Sequence, residues 1–411
     1  MGDLKGYQPR ITAAGQWAWL LLCAVLPISG SLVPVPLALS VFLLLVSVIG
    51  RFPRIDLPSL WPLFAFYALH LLGMLWTTDV GFGLFDLQIK LGLVLLPLAA
   101  ALVSKAYPDM LRRTMLAFTA GILIAIVLGL WKASVCFGER GWKECWTQSY
   151  LSFDLHPSYA AWYLCWAVVY WGNAFIRGHL TERWLRRTIL VVVPGLLVFI
   201  VMLASKSGLV SLLVAVVFLV GTAFRKLQGR SRTVVVLGSV AAVLLAGSVA
   251  WPVLKARVGA GWTAVERART GDPAIYTSSE GNEERLVAWG CSVDLLEQHP
   301  FGSGTGDIKN DLVACYEAKG AQAAAERRLN SHDQFLQSGV ALGWPGLFLS
   351  LLLAFIPLML GIRRRNGLMI MFALLFLLNG AVESVLEVQA GVVFFAVFMG
   401  LLAAKRYGPS E

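Results

Sequence analysis

The residues best suited to chemistry gather late in the chain. His332 stands in Asn330-Ser331-His332-Asp333-Gln334-Phe335, where a polar stretch gives way to an apolar one. A neutral imidazole accepts a proton near pH 7, which fits His332 as a general base. Asp333 is its neighbour in sequence, which does not by itself orient the ring. Arg285 opens Arg285-Leu286-Val287-Ala288-Trp289, a pattern expected to run as a helix to about Gln298. Pro300-Phe301-Gly302-Ser303-Gly304-Thr305-Gly306 follows. Alternating glycines let a backbone approach a ligand closely and turn N–H groups toward phosphate oxygens, so Gly302 and Gly304 are candidate donor-binding positions. An ordinary loop is the plainer reading of the same residues. His156-Pro157-Ser158 precedes another apolar run; His156 either shapes a site there or is only the polar neighbour of a helix-starting proline.

Charges inside apolar runs need a reason, because each costs free energy at membrane depth. Lys90 lies in Gln88-Ile89-Lys90-Leu91-Gly92, one turn after Asp86. It is either an anion-binding group or a snorkelling lysine with a local ion pair. Lys206 lies in Ser205-Lys206-Ser207-Gly208, a polar knot between two apolar blocks. The helix that follows starts with free N–H groups and the positive end of its dipole, an anion site to which Lys206 adds charge. A simple exposed turn has the same composition. Glu383 and Glu387 flank a late turn, where they either face a cationic group or an acceptor, or stay solvated.

The elements that must position these residues are transmembrane helices. The 411 residues are 58% hydrophobic and 14% charged, with mean hydropathy +0.71. Soluble domains carry about 25% charged residues. The apolar residues come in blocks of bilayer-crossing length, without the alternation of a β-barrel. Spans are expected over 13–30, 32–50, 58–77, 84–103, 114–136, 155–176, 188–204, 207–224, 233–253, 335–361, 367–382 and 388–404. No small-residue cleavage site follows the first block, so no signal peptide is expected to be removed. Tryptophans near the block ends, among them Trp17, Trp19, Trp76 and Trp344, fit interfacial anchors.

Lys and Arg concentrate in alternate short loops, including Arg51, Arg54, Arg112, Arg113, Arg183, Arg186, Arg187, Arg363, Arg364, Lys405 and Arg406. The positive-inside rule makes these loops and both termini cytoplasmic and places 254–334 outside. Three parts follow: spans one to nine over 1–253, an outer segment over 254–334, and the last three spans with a cytoplasmic tail over 335–411. Acidic residues slightly outnumber basic ones in 254–334, so the formal charge of +10 is a topology signal and not a nucleic-acid footprint. Cys136 with Cys145 and Cys291 with Cys315 fall on the outer side, as disulfides or as free thiols; Cys23 and Cys165 read as core filler. His-Glu-x-x-His, a Walker loop and a metal-spaced Cys/His cluster are all missing from the sequence, so neither ATP nor zinc chemistry is expected, and no cofactor.

With these residues in hand, the chain resembles the O-antigen ligase and polymerase superfamily of membrane glycosyltransferases. The resemblance rests on the twelve-span layout with one large late outer segment, and on Arg285 and Trp289 ahead of Pro300 and the 302–306 glycines. It rests also on His332 shortly before a span with Gly339, Gly343 and Gly346. It implies an all-α, polytopic bundle of the GT-C class in the inner membrane, with its site at the periplasmic face. It implies transfer of a glycan from undecaprenyl diphosphate to a hydroxyl group, with inversion and without metal or nucleotide. Arg285 matches the family's phosphate-binding arginine and His332 its histidine. Lys206 replaces a usual arginine, keeping a point charge but losing the bidentate fork. Asp333 replaces a usual asparagine, which either raises the basicity of His332 or is incidental. The short 137–154 loop favours a ligase, with lipid A–core as acceptor, over a polymerase, and the end at Glu411 soon after the last expected span favours it over a protein O-oligosaccharyltransferase. A transporter or flippase is the competing class; it would place charge near the midplane and lack one large outer segment.

Overall fold

The computed structural model describes residues 4–47, 56–278 and 281–404, and every regular element among them is helical. The chain opens with α1 (Leu4–Val25), α2 (Pro34–Val46), α3 (Leu57–Gly73), α4 (Val80–Lys90) and α5 (Gly92–Ala106). The long α6 (Met110–Arg140) and the one-turn α7 (Gln148–Leu151) lead to α8 (Pro157–Ile176), α9 (Arg183–Met202) and α10 (Lys206–Lys226). Then α11 (Gly229–Thr270) runs into the polar part, which folds as α12 (Ala274–Thr277), α13 (Gly281–Gln298), α14 (Ile308–Ala318) and α15 (Gln322–Glu326). Last come α16 (Gln334–Arg363), α17 (Gly367–Gly380) and α18 (Gln389–Ala404). Among the described residues five stretches are long and apolar enough to cross a membrane: Val80–Ala106, Met110–Arg140, Arg183–Met202, Lys206–Lys226 and Gln334–Arg363. Gly30–Val46, Gly367–Gly380 and Gln389–Ala404 are shorter apolar stretches. Arg51, Arg54, Lys405 and Arg406 lie outside the described residues.

The centre of the bundle is α8. It is apolar all round and buried along almost its whole length, as such a helix must be. Its aromatic side chains interlock with α17 and α18: Trp162 and Tyr163 meet Phe394 at 4.7 and 4.4 Å between ring centroids, and Trp166 meets Phe372 at 4.9 Å. Each such pair adds about 0.5–1.5 kcal/mol beyond the area it buries. This packing fixes where α8 begins, and so where His156 and Ser158 stand. Trp19 is a correction to the interfacial assignment: it is fully buried, with Nε1 donating to Thr114 Oγ1 at 2.9 Å. A buried indole needs such an acceptor, and α6 supplies it. Trp17 remains 69% exposed, as an anchor would be.

The expected boundary at 253/254 falls inside a helix. The residues after 253 are more polar but include good helix formers, such as Lys255 and Glu266, so α11 continues until Gly271 caps it in the left-handed conformation. Its end leads through α12 to α13, which closes at Gln298 as its pattern predicts. A second core of Val287, Cys291, Leu295, Leu312 and Tyr316 joins α13 to α14, and it extends onto Val340 and Leu342 of α16. Disulfides are present at Cys291–Cys315, with Cα atoms 5.9 Å apart, and at Cys136–Cys145, 5.8 Å apart. Cys23 and Cys165 are free and buried.

One expected span is broken. Helix α16 leaves helical geometry at Gly343, with φ 67° and ψ −158°. The 300–304 loop fills the break. Trp344 N donates to Pro300 O, Ser303 N to Val340 O and Gly304 N to Ala341 O, each at 2.9 Å. A helix of an apolar bundle can open only where such freed groups find partners. The fit is close: a Cβ at Gly343 would lie 1.9 Å from Pro300 O, and one at Gly302 2.4 Å from the Ala341 carbonyl.

Candidate active site

Arg285, His332 and Glu383 form the centre of the site. Arg285 Nη2 donates to Glu383 Oε1 at 2.6 Å, and His332 Nδ1 stands 3.5 Å from Glu383 Oε2. Ser158 Oγ donates to Glu383 Oε1 at 3.2 Å, and Ser205 Oγ reaches Ser158 Oγ at 3.5 Å. Glu383 is nearly buried, whereas the Arg285 and His332 side chains are about a quarter exposed, which leaves them accessible. Burial pushes the Glu383 carboxyl up. The hydrogen bond with His332 and the charges of Arg285, His156 and His332 outweigh that, and the carboxyl is held below the usual glutamate range.

Each of these groups is set by local structure. Arg285 is the third of three successive charged residues on α13. The two before it, Glu283 and Glu284, are almost fully buried and pair with Arg267 of α11 and Arg327 after α15, both at 2.5 Å. Three residues earlier on the same face, Asn282 accepts from Lys206 Nζ. Lys206 opens α10 after a tight turn in which Ala204 has φ 48° and Ser205 caps the helix through Gly208 N at 3.3 Å. His156 caps α8 in the same way, accepting from Ser158 N at 3.4 Å. His332 has φ 48°, a left-handed conformation that is rare for a residue with a side chain. Its N–H is held by Asn330 Oδ1 at 2.9 Å, and Ser331 before it accepts from Ser292 of α13 at 2.8 Å. The starts of α8, α10 and α16 thus all lie at this site, and helix starts favour anions.

Arg285, Lys206, His156, His332 and Glu383 therefore come together. Four other candidates do not join them. Lys90 is fully buried and held by Asp86 and by Glu387 Oε1, the latter at 2.9 Å. These two carboxylates balance its charge and its side chain has no exposed surface, so it neither snorkels nor joins the Arg285 cluster. Gly302 and Gly304 are packed into the break of α16; Gly302 N donates to His299 O at 2.8 Å and Gly304 N to Ala341 O, so neither presents an N–H to a ligand. Asp333 turns away from the imidazole and caps α16, accepting from Phe335 N and Leu336 N at 2.8 Å. Burial raises its carboxyl above the usual range, and the two N–H groups offset this in part. The carboxylate that faces His332 is Glu383. Sequence reasoning missed the helpers Asn282 and Gln334, whose amides carry no local signature. It also did not assign a role to Ser158 or Ser205, although Ser205 stands in a polar knot and Ser158 follows His156-Pro157 at a helix start.

Because Asp333 is a cap, Asp333→Ala is expected to cost about 1 kcal/mol of stability. The activity of the folded protein should persist. Thermal melting in detergent beside an activity assay tests this; a large loss of activity with unchanged melting would return Asp333 to the chemistry.

Fold and site define an all-helical membrane protein in which a histidine, two basic side chains and a buried carboxylate meet where helices begin. Residues 189–351 match the family model described as O-antigen ligase, and this supports membership of the chain in the O-antigen ligase superfamily. The matched stretch contains Lys206, Arg285 and His332. No curated protein matches the chain.

Proposed function

We propose that this protein is an O-antigen ligase, which moves a glycan from undecaprenyl diphosphate to a sugar hydroxyl of lipid A–core during lipopolysaccharide biosynthesis. The observation that carries the reading is the bridge made by Glu383 between Arg285 and His332, at 2.6 and 3.5 Å. It puts an imidazole, which is suited to accept a proton, and a guanidinium, which is suited to bind phosphate, within one carboxylate of each other. His332 takes the proton of the acceptor hydroxyl. The hydroxyl oxygen attacks the anomeric carbon as the bond to the phosphate oxygen breaks, with inversion, and undecaprenyl diphosphate leaves with the electron pair. Arg285 and Lys206 hold the diphosphate and stabilise the charge that grows on it. Glu383 orients the His332 ring and balances the imidazolium, and His156 borders the acceptor side. The 3.5 Å contact is long for a hydrogen bond, and such contacts tighten when substrate binds. The same reading makes the protein a multi-pass, GT-C-like enzyme of about twelve spans in the bacterial inner membrane. Its termini are cytoplasmic, 254–334 is periplasmic, and membrane lipids surround it. Both disulfides lie on the side that this topology exposes to an oxidising compartment.

The test is transfer in vitro. Purified protein is mixed with undecaprenyl-diphosphate glycan and lipid A–core in detergent, with EDTA and no nucleotide. The expected result is a mobility shift of the lipid A–core band that is lost in His332→Ala, since a positioned base contributes about 10²–10⁴-fold. Longer lipid-linked glycan without a shift would identify a polymerase. No product from folded protein and intact lipids would refute the transferase reading and favour transport.

A further inference from the structure

The turn between α17 and α18 carries two carboxylates four residues apart, Glu383 and Glu387, and they enter two different polar clusters. Glu383 belongs to the site. Glu387 accepts from Lys90, which also holds Asp86 one turn earlier on α4, and Asp86 Oδ2 stands 3.4 Å from His70 Nδ1 on α3. His70, Asp86 and Lys90 are each no more than 2% exposed. Burying such a set in an apolar bundle is costly, and apolar residues of similar volume would pack there more cheaply. Contact with substrate does not explain it, because Lys90 has no exposed surface.

The turn explains it. Residues Val385–Glu387 form a single turn of 3-10 helix, a conformation with few and poor hydrogen bonds of its own. Its position therefore depends on outside contacts. One is Gln334 Oε1, which accepts from Leu386 N at 2.5 Å and ties the turn to α16 two residues after His332. Others are Tyr159 of α8, whose hydroxyl donates to Ser384 O at 3.4 Å, and Lys90, which ties Glu387 to α4. We infer that Lys90, with Asp86 and His70 behind it, is a positioning unit that sets the pose of Glu383 against His332 and Arg285. This rests on the reading of Glu383 as the group that orients His332.

The experiment is a double-mutant cycle on the transfer assay. Glu387→Gln is expected to lower kcat about 10-fold with donor KM changed less than about 2-fold, as for a group that acts only on the reacting geometry. Glu383→Gln is expected to cost about 100-fold, and the double variant about the same as Glu383→Gln alone, because the remote change acts through Glu383. In ¹⁵N-histidine spectra, the His332 resonance should move in Glu387→Gln while the melting temperature holds. Full activity of Glu387→Gln, or a double-variant loss equal to the product of the single losses, would overturn the inference. Full activity of Glu383→Gln would instead overturn the reading of Glu383, and the inference with it. Lys90→Met leaves two carboxylates buried without a cation, so the neutral combination Asp86→Asn, Lys90→Met and Glu387→Gln separates folding from positioning. It should fold and remain slow; recovery of full activity would show that the charges matter only to folding.

Discussion

Replacing Arg285 by alanine is expected to lower glycan transfer about 10²–10³-fold, the loss typical of removing one preorganised group from a site of growing negative charge. Two effects add. On the proposed reading the diphosphate loses its strongest donor, since a guanidinium offers a planar fork that matches phosphate oxygens. Glu383, only 9% exposed, also loses the cation that lies 2.6 Å away. A carboxylate left so keeps Ser158, His332 and the charge of His156 around it, and it holds the His332 ring less firmly. Arg285→Lys separates these contributions. Lysine restores a charge near Glu383 but not the fork, so activity should return part of the way, to about a tenth of the unmodified protein. The measurement is the initial rate of the lipid A–core shift, with folding checked by size-exclusion chromatography and melting. If folded Arg285→Ala kept its rate, the diphosphate would have to be held elsewhere, with Lys206 as the first place to look.

The individual groups of this site were conspicuous in sequence, because arginine, lysine, histidine and glutamate stand out in an apolar chain. Their pairing was not. Glu383 meets Arg285 across 98 residues and His332 across 51. No periodicity reports contacts of that range, and the adjacent Asp333, which sequence leaves open as a partner of His332, is a helix cap instead. Lys90 shows the same limit. Its partner at i−4, Asp86, was visible, but Glu387 lies 297 residues on, and only that contact turns a candidate anion site into a buried cluster. The glycines of 302–306 were ambiguous for another reason. A backbone that must approach a phosphate and one that must fill a broken helix need the same missing Cβ, and only the neighbour tells them apart. Helix boundaries followed composition where helix propensity and hydropathy change together, as at Gln298. At 253 hydropathy changed and propensity did not, so the helix ran on.

Glu383→Gln is the other substitution expected to act strongly, at about 10²-fold on transfer. The change is small in volume, which makes it informative. An ionised carboxylate only accepts hydrogen bonds, and so it can hold His332 Nδ1 as a donor and leave Nε2 free to take a proton. The amide can turn its –NH₂ to the ring and favour the opposite tautomer, and it cannot balance an imidazolium or the Arg285 charge. The pH dependence has a definite sign. The folded Glu383 carboxyl is held below the ordinary glutamate value, because the hydrogen bond with His332 and the nearby positive charges outweigh burial. The stabilisation it contributes is therefore fully present above the unfolded value, about 4.3, and is lost as pH falls through the lower folded value. Between pH 6 and 8 Glu383 stays ionised, so its own titration adds no pH dependence to the transfer deficit of Glu383→Gln over that range. The acid-induced loss of melting temperature seen in the unmodified protein should be smaller in the variant. Equal rates for the two proteins at pH 7, with both folded, would mean that His332 acts without Glu383, and the bridge would then serve only to hold Arg285 and the 381–388 turn in place.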